Sequence, residues 1–154
     1  MNCGPKCFRW ILQQEQIDLS LDAARERCQT TAMGTREPDL RAALIASGLE
    51  IELRQQLSWD ELIMLARTHY VLVLYQCHYS VVINADPESL ELYDPDYGRV
   101  VRRERSAFEP YWHDAEIDLD WTRRDYERAA ILVKRRHTAT APITSARTLS
   151  RVSP

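Results

Sequence analysis

Apolar positions follow a helical spacing over the first third of the chain and a strand spacing over its middle. Phe8, Ile11 and Leu12 stand at i, i+3 and i+4, which predicts a helix over 5–16 that opens on Pro5, where a missing N–H costs nothing. Cys3 is then expected just ahead of that helix. Ser20 is placed to cap a short helix over 21–28, and Leu40, Ala43, Leu44 and Ala46 mark another over 37–47 that Gly48 ends. Residues 50–53 alternate like a short strand. Ser58 and Glu61 form a capping box for a helix to about residue 67.

The run 70–76 is apolar throughout and of strand length, so it is expected to be buried on both faces. Further strands are predicted over 78–84, 90–94 and 99–103, the last two separated by the turn Asp94-Pro95-Asp96-Tyr97-Gly98. Ser106 and Glu109 repeat the capping-box spacing and predict a short helix toward Trp112. Beyond residue 114 the pattern predicts a helix capped by Thr122 that gives way to a closing strand over 130–133. Helices first and an antiparallel sheet after them make an α+β fold. Residues 1–136 are expected to form one domain and 137–154, without periodicity, a disordered basic tail.

Composition narrows the function. The 154 residues carry 20 basic and 23 acidic groups, a net charge of −3, so no global field calls for nucleic acid. No acid occurs from Lys134 onward, which makes the tail basic and the body acidic. The longest apolar run is far short of the roughly 20 residues of a membrane span, and no secretory signal is visible. Four scattered glycines exclude a phosphate-binding loop or a dinucleotide fingerprint. Four cysteines, Cys3, Cys7, Cys28 and Cys77, are too few for a disulfide framework and fit a reducing cytoplasm. Cys3 and Cys7 have the spacing of half a metal site but lack a matching second pair. No metal and no cofactor are expected.

A cysteine at a helix N-terminus has its thiolate favoured by unpaired N–H groups and the positive end of the helix dipole. Cys3 holds that place, and a histidine and an orienting group would complete a catalytic set. Of His69, His78, His113 and His137, His78 is the best placed. In a hairpin pivoting about Pro87, His78, Ser80, Val82, Asp94 and Asp96 share one face. Ser80 then faces Asp94 and His78 faces Asp96, leaving His78 and Asp94 as diagonal neighbours roughly 7–8 Å apart at Cα. A shorter loop would make His78 and Asp94 direct partners, so both Asp94 and Asp96 stand as orienters.

Cys3-Gly4-Pro5-Lys6-Cys7 at a helix start, Gly34-Thr35 followed by Leu40 and Leu44, the strand leading into His78-Tyr79-Ser80-Val81-Val82, and Asp94-Pro95 with Gly98 resemble the papain-like cysteine peptidases of family 39. Phe108 and Trp112 resemble the aromatic pair that follows the aspartate of that family's triad. The resemblance implies a papain-like fold, with N-terminal helices packed on an antiparallel sheet, and removal of leader peptides after a double glycine, as in bacteriocin processing. It assigns Cys3 as nucleophile, His78 as general base and acid, and Asp94 as orienting carboxylate. A peptide substrate follows, with Trp10 and Tyr79 expected along its groove and Gly4 leaving it room, and a transporter or other protein as partner.

The family also has a glutamine a few residues before the nucleophile, donating to the oxyanion. Here only Met1 and Asn2 precede Cys3, so the backbone N–H of Cys3 is the donor assigned and the side-chain donor is unassigned. Loss of one such donor typically costs ~100- to 1000-fold in rate. A true start further upstream is the first expectation. The alternatives are another donor, or a non-catalytic domain that only binds peptide. A papain-like amidase or acyltransferase acting on a small molecule would use the same triad. A zinc-stabilised interaction module is the weakest reading.

Overall fold

The computed structural model describes residues 1–136; the tail expected over 137–154, with His137, lies outside the described residues. Three helices come first: α1 (Cys3–Gln14), α2 (Leu21–Arg27) and α3 (Glu37–Ala46). They are followed by β1 (Ile51–Arg54), α4 (Trp59–Leu65), β2 (His69–Tyr75), β3 (His78–Ala85), β4 (Ser89–Asp94) and β5 (Arg99–Glu104). Then come α5 (Arg105–Phe108), a 3₁₀ turn (Glu109–Tyr111), β6 (His113–Ile117), β7 (Arg123–Glu127) and β8 (Ala130–Lys134). Six strands form one antiparallel sheet in the order β1-β8-β2-β3-β4-β5, while β6 and β7 pair only with each other.

The central strands are covered on both faces, as the unbroken apolar run in β2 predicts. On one face Phe8, Ile11 and Leu12 of α1 and Leu40 and Leu44 of α3 pack against Tyr70, Leu72, Leu74, Val81, Ile131 and Val133. On the other, Leu57, Trp59, Leu62, Phe108 and Trp112 cover Val71, Val73, Val82, Leu92 and Leu132. The Ser58–Glu61 capping box forms, and Ser20 caps α2 by accepting from the Ala23 N–H.

Three expectations change. Cys3 is the first residue of α1 and lies inside the helix rather than before it. Ser106 does not cap α5, which begins at Arg105 after Glu104, two residues earlier than a Ser106 cap would place it. The helix expected from Thr122 is instead the strand β7. Its only buried side chain is Tyr126, flanked by polar residues, and β8 enters the middle of the large sheet between β1 and β2. Both ends of that segment are thus extended, which leaves no room for a helix between them.

Candidate active site

Cys3 and His78 come from opposite faces of the sheet and meet at one end of it. α1 lies on the first face, with its N-terminal turn against the start of β3 and the end of β4. There the Cys7 thiol donates to the Tyr79 carbonyl at 3.5 Å and Lys6 Nζ to the Pro95 carbonyl at 3.4 Å. His78 opens β3 on the second face. Val81 opposes Tyr93 and Val82 opposes Leu92, and this register puts His78, Ser80 and Asp94 on one side. A bulge between Val82 and Asn84 shifts the register only farther from the site.

The turn that delivers His78 has no glycine. Gln76 and Cys77 both take positive φ, 46° and 59°, in a two-residue hairpin between the paired Tyr75 and His78. Strand β6 supports it: the Gln76 N–H donates to the His113 carbonyl at 2.8 Å and the Cys77 N–H to Asp114 Oδ1 at 3.0 Å. Farther along β6, Glu116 Oε1 accepts the Glu37 N–H at 2.9 Å and the Tyr79 hydroxyl at 3.3 Å, and burial holds both Glu37 and Glu116 above the usual carboxylate values.

His78 Nε2 lies 3.6 Å from Asp94 Oδ1 and 4.0 Å from Asp96 Oδ2, which leaves Nδ1 for the Cys3 side. Asp94 is 4% exposed, and its carboxylate also accepts the Asp96 N–H at 2.9 Å and Arg103 Nη2 at 3.1 Å. Burial alone would raise the Cys3 thiol. The hydrogen bond with His78, the backbone N–H groups of Tyr79 and Gly4 and the charge of His78 outweigh it, so the Cys3 pKa falls below 9.0. Burial likewise works against a charged His78, yet Cys3, Asp96 and Asp94 raise its pKa above 6.5. Aromatic rings hold the imidazole from behind. Tyr75 meets it edge-on at 5.4 Å, and Phe108, 5.8 Å from Trp112, meets Tyr75 at 5.1 Å.

Other sequence candidates lie elsewhere. Cys7 and Cys28 are buried thiols, Cys28 pushed up to about 12 by burial first and Asp39 second. His69 begins β2 and bonds Thr68, and His113 contributes its carbonyl to the turn. The groove residues require correction. Tyr79 has opposite strand parity to His78 and points into the helix-side core, its hydroxyl donating to the Thr35 carbonyl at 2.9 Å. Trp10 stacks on Tyr93 at 5.0 Å and meets Tyr70 edge-on, so it packs against the same core. His78, Asp94 and Asp96 bring ligand atoms within 4.8 Å of one another and could gather a cation, although Arg103 already places a positive charge on Asp94.

Gly4 makes room for Thr35, not for substrate. A Cβ there would stand 2.8 Å from Thr35 Cβ and 2.9 Å from its Oγ1. Thr35 cannot easily yield, because its hydroxyl bonds Thr30 at 2.6 Å and its carbonyl accepts Tyr79. Gly4→Ala is expected to destabilise the fold by about 1–3 kcal/mol through overpacking and to slow alkylation of the adjacent Cys3. Thermal melting and iodoacetamide kinetics check both effects, and Thr35→Gly in the same chain should restore them.

Among the described residues no helix is long and apolar enough to cross a membrane. The chain is similar, at 19% identity and a TM-score of 0.63, to the peptidase domain of Streptococcus ComA, a bifunctional ABC transporter involved in a quorum-sensing pathway; the match covers 86% of this chain and 90% of that one. It is similar, at 15% identity and a TM-score of 0.65 over 86% and 84% of the two chains, to a double-glycine-motif protease from an AMS/PCAT transporter, solved with its leader peptide. These likenesses establish the papain-like α+β fold. An uncharacterised protein of Methanothermobacter thermautotrophicus is 30% identical over 106 residues, 67% of this chain and 72% of that one. The model of the peptidase C39 family matches residues 1–119, and the chain belongs to that family.

Proposed function

We propose that residues 1–136 form one cysteine peptidase domain that cleaves a peptide after small residues, such as a double-glycine leader, using Cys3, His78 and Asp94. The observation that carries this reading is the half-buried Cys3 thiol at the start of α1, its pKa lowered by the neighbouring His78, together with the buried Asp94 3.6 Å from His78 Nε2. The Cys3 thiolate attacks the scissile carbonyl carbon, and the developing oxyanion takes the Cys3 N–H, one of the first N–H groups of a helix that have no partner within it. His78 passes its proton to the leaving amine as the C–N bond breaks, leaving a thioester. Water then gives a proton to His78 and attacks the thioester, the C–S bond breaks, and the thiolate returns.

The likeness to a double-glycine-motif protease from an AMS/PCAT transporter, solved with its leader peptide, and to the peptidase domain of an ABC transporter supports a leader peptide as substrate and a transporter as partner. Four free thiols suit a reducing cytoplasm. Peptides carrying a Gly-Gly junction, incubated with the protein and followed by mass spectrometry, test the substrate. Cleavage after the second glycine supports the reading. Rapid Cys3 labelling with no peptide cleaved would instead favour an amidase or acyltransferase for small molecules.

The pH dependence follows from the two shifts. The reactive form, thiolate beside imidazolium, exists above the lowered pKa of Cys3 and below the raised pKa of His78. Cleavage is therefore expected to rise with pH through the first and fall through the second. Iodoacetamide should label Cys3 at a lower pH than Cys77, whose thiol is held up first by Asp114. A Cys3 that labels only at the rate of an ordinary thiol would remove the basis of the enzyme reading.

A further inference from the structure

Arg99, Val101 and Arg103 of β5 pair with Asp94, Leu92 and Leu90 of β4 and so share the face that carries His78. The Arg103 side chain turns back along this face to Asp94, Nη2 to Oδ2 at 3.1 Å, while its guanidinium carbon lies 5.8 Å from the centre of the Tyr97 ring. The other oxygen of Asp94 is the one facing His78. Asp96, whose side chain is 75% exposed, offers His78 a second carboxylate that no cation holds among the described residues. We infer that Arg103 is a positioning residue: steadied by Tyr97, it pins one oxygen of Asp94 so that the other stays aimed at His78 and Asp96 does not take its place. This inference rests on the proposed roles of His78 and Asp94 and adds a residue that no sequence pattern marked.

A guanidinium suits this task because its planar fork fixes a carboxylate in direction as well as distance. Its position and its charge act in opposite senses on His78. Removing a nearby cation, taken alone, raises the pKa of an imidazole. Freeing the carboxylate that faces the imidazole lowers it. The groups facing His78 are Cys3 of α1, Tyr75 of β2, Asp94 of β4 and Asp96 in the following turn; one step behind them are Arg103 of β5 on Asp94 and Lys6 of α1 on the Pro95 carbonyl. Only Arg103 changes in the comparison.

The test is an NMR titration of the His78 ring in the full chain, assigned with His78→Ala, for the wild type, Arg103→Gln and Arg103→Lys. Arg103→Gln is expected to lower the His78 pKa by about one pH unit. Arg103→Lys, which keeps the charge and loses the fork, should fall between the two, and thermal melting should show all three folded. In an Asp94→Asn background Arg103→Gln should have no further effect. Against a cleaved peptide, Arg103→Gln is expected to lower kcat about 10-fold with KM unchanged. An unchanged or raised His78 pKa in Arg103→Gln, a wild-type value in Arg103→Lys, or an undiminished effect in Asp94→Asn overturns the assignment. Failure of the wild type to cleave any peptide would count against the peptidase reading, while the titration still decides the role of Arg103.

Discussion

Cys3→Ser is expected to reduce peptide cleavage about a millionfold while leaving the fold and peptide binding intact. The exchange of sulfur for oxygen changes little in volume, and Cys3 is only half-buried, so α1 should keep its place. What changes is the acidity of the nucleophile. The His78 hydrogen bond and the N–H groups of Tyr79 and Gly4 bring the thiol below 9.0. The same partners cannot bring a serine hydroxyl near neutral pH. His78 would then have to remove the whole of a far less acidic proton during attack. The check is twofold: kcat/KM for cleavage, and mass spectrometry for the thioester, which should trap on the wild type and be absent from Cys3→Ser. Near-normal cleavage by Cys3→Ser would show that another group is the nucleophile.

The parts of this site that were legible in the sequence are those set by periodicity. The apolar stripe of α1 places Cys3 near a helix start, and strand alternation puts His78, Ser80 and Asp94 on one face; the observed pairing of Val82 with Leu92 carries that register. The remainder depends on contacts between residues far apart in the chain. The Gln76–Cys77 turn gives no local sign because hairpins of this kind are usually announced by Asn-Gly or Asp-Gly, and here Asp114 and the His113 carbonyl, from a distant strand, hold two non-glycine residues in place. Strands β6 and β7 were hard to see because most of their side chains are polar and only Tyr126 is buried. Trp10 and Tyr79, expected along the groove, lie elsewhere: one step of strand parity carries Tyr79 into the core, and Trp10, seven residues along α1 from Cys3, packs partly buried against it. The sequence suggests that Gly4 leaves room for a substrate, whereas the space it leaves is filled from within the fold. Its neighbour Thr35, 31 positions away, could only be found in three dimensions.

Asp94→Asn is expected to lower kcat/KM for cleavage roughly 100- to 1000-fold, whereas Asp96→Asn should change it by less than about threefold. The contrast comes from burial and anchoring. Asp94 is almost wholly enclosed, with Arg103 on one oxygen and His78 and the Asp96 N–H on the other, so its charge acts on the imidazole at short range and from a fixed direction. Asp96 lies 4.0 Å from the same nitrogen with its carboxylate largely in water, where its field is screened. An asparagine at position 94 keeps the shape but leaves Arg103 facing a neutral amide, and it removes the charge that favours an imidazolium. The loss should be smaller than in a serine triad, because the lowered pKa of the Cys3 thiol leaves less of the proton removal to His78. It should fall mainly on kcat, and the alkaline limb of the pH profile should move to lower pH as His78 becomes a weaker base. If Asp96→Asn instead carries the larger loss, the exposed carboxylate is the orienter and Asp94 serves mainly to hold Arg103.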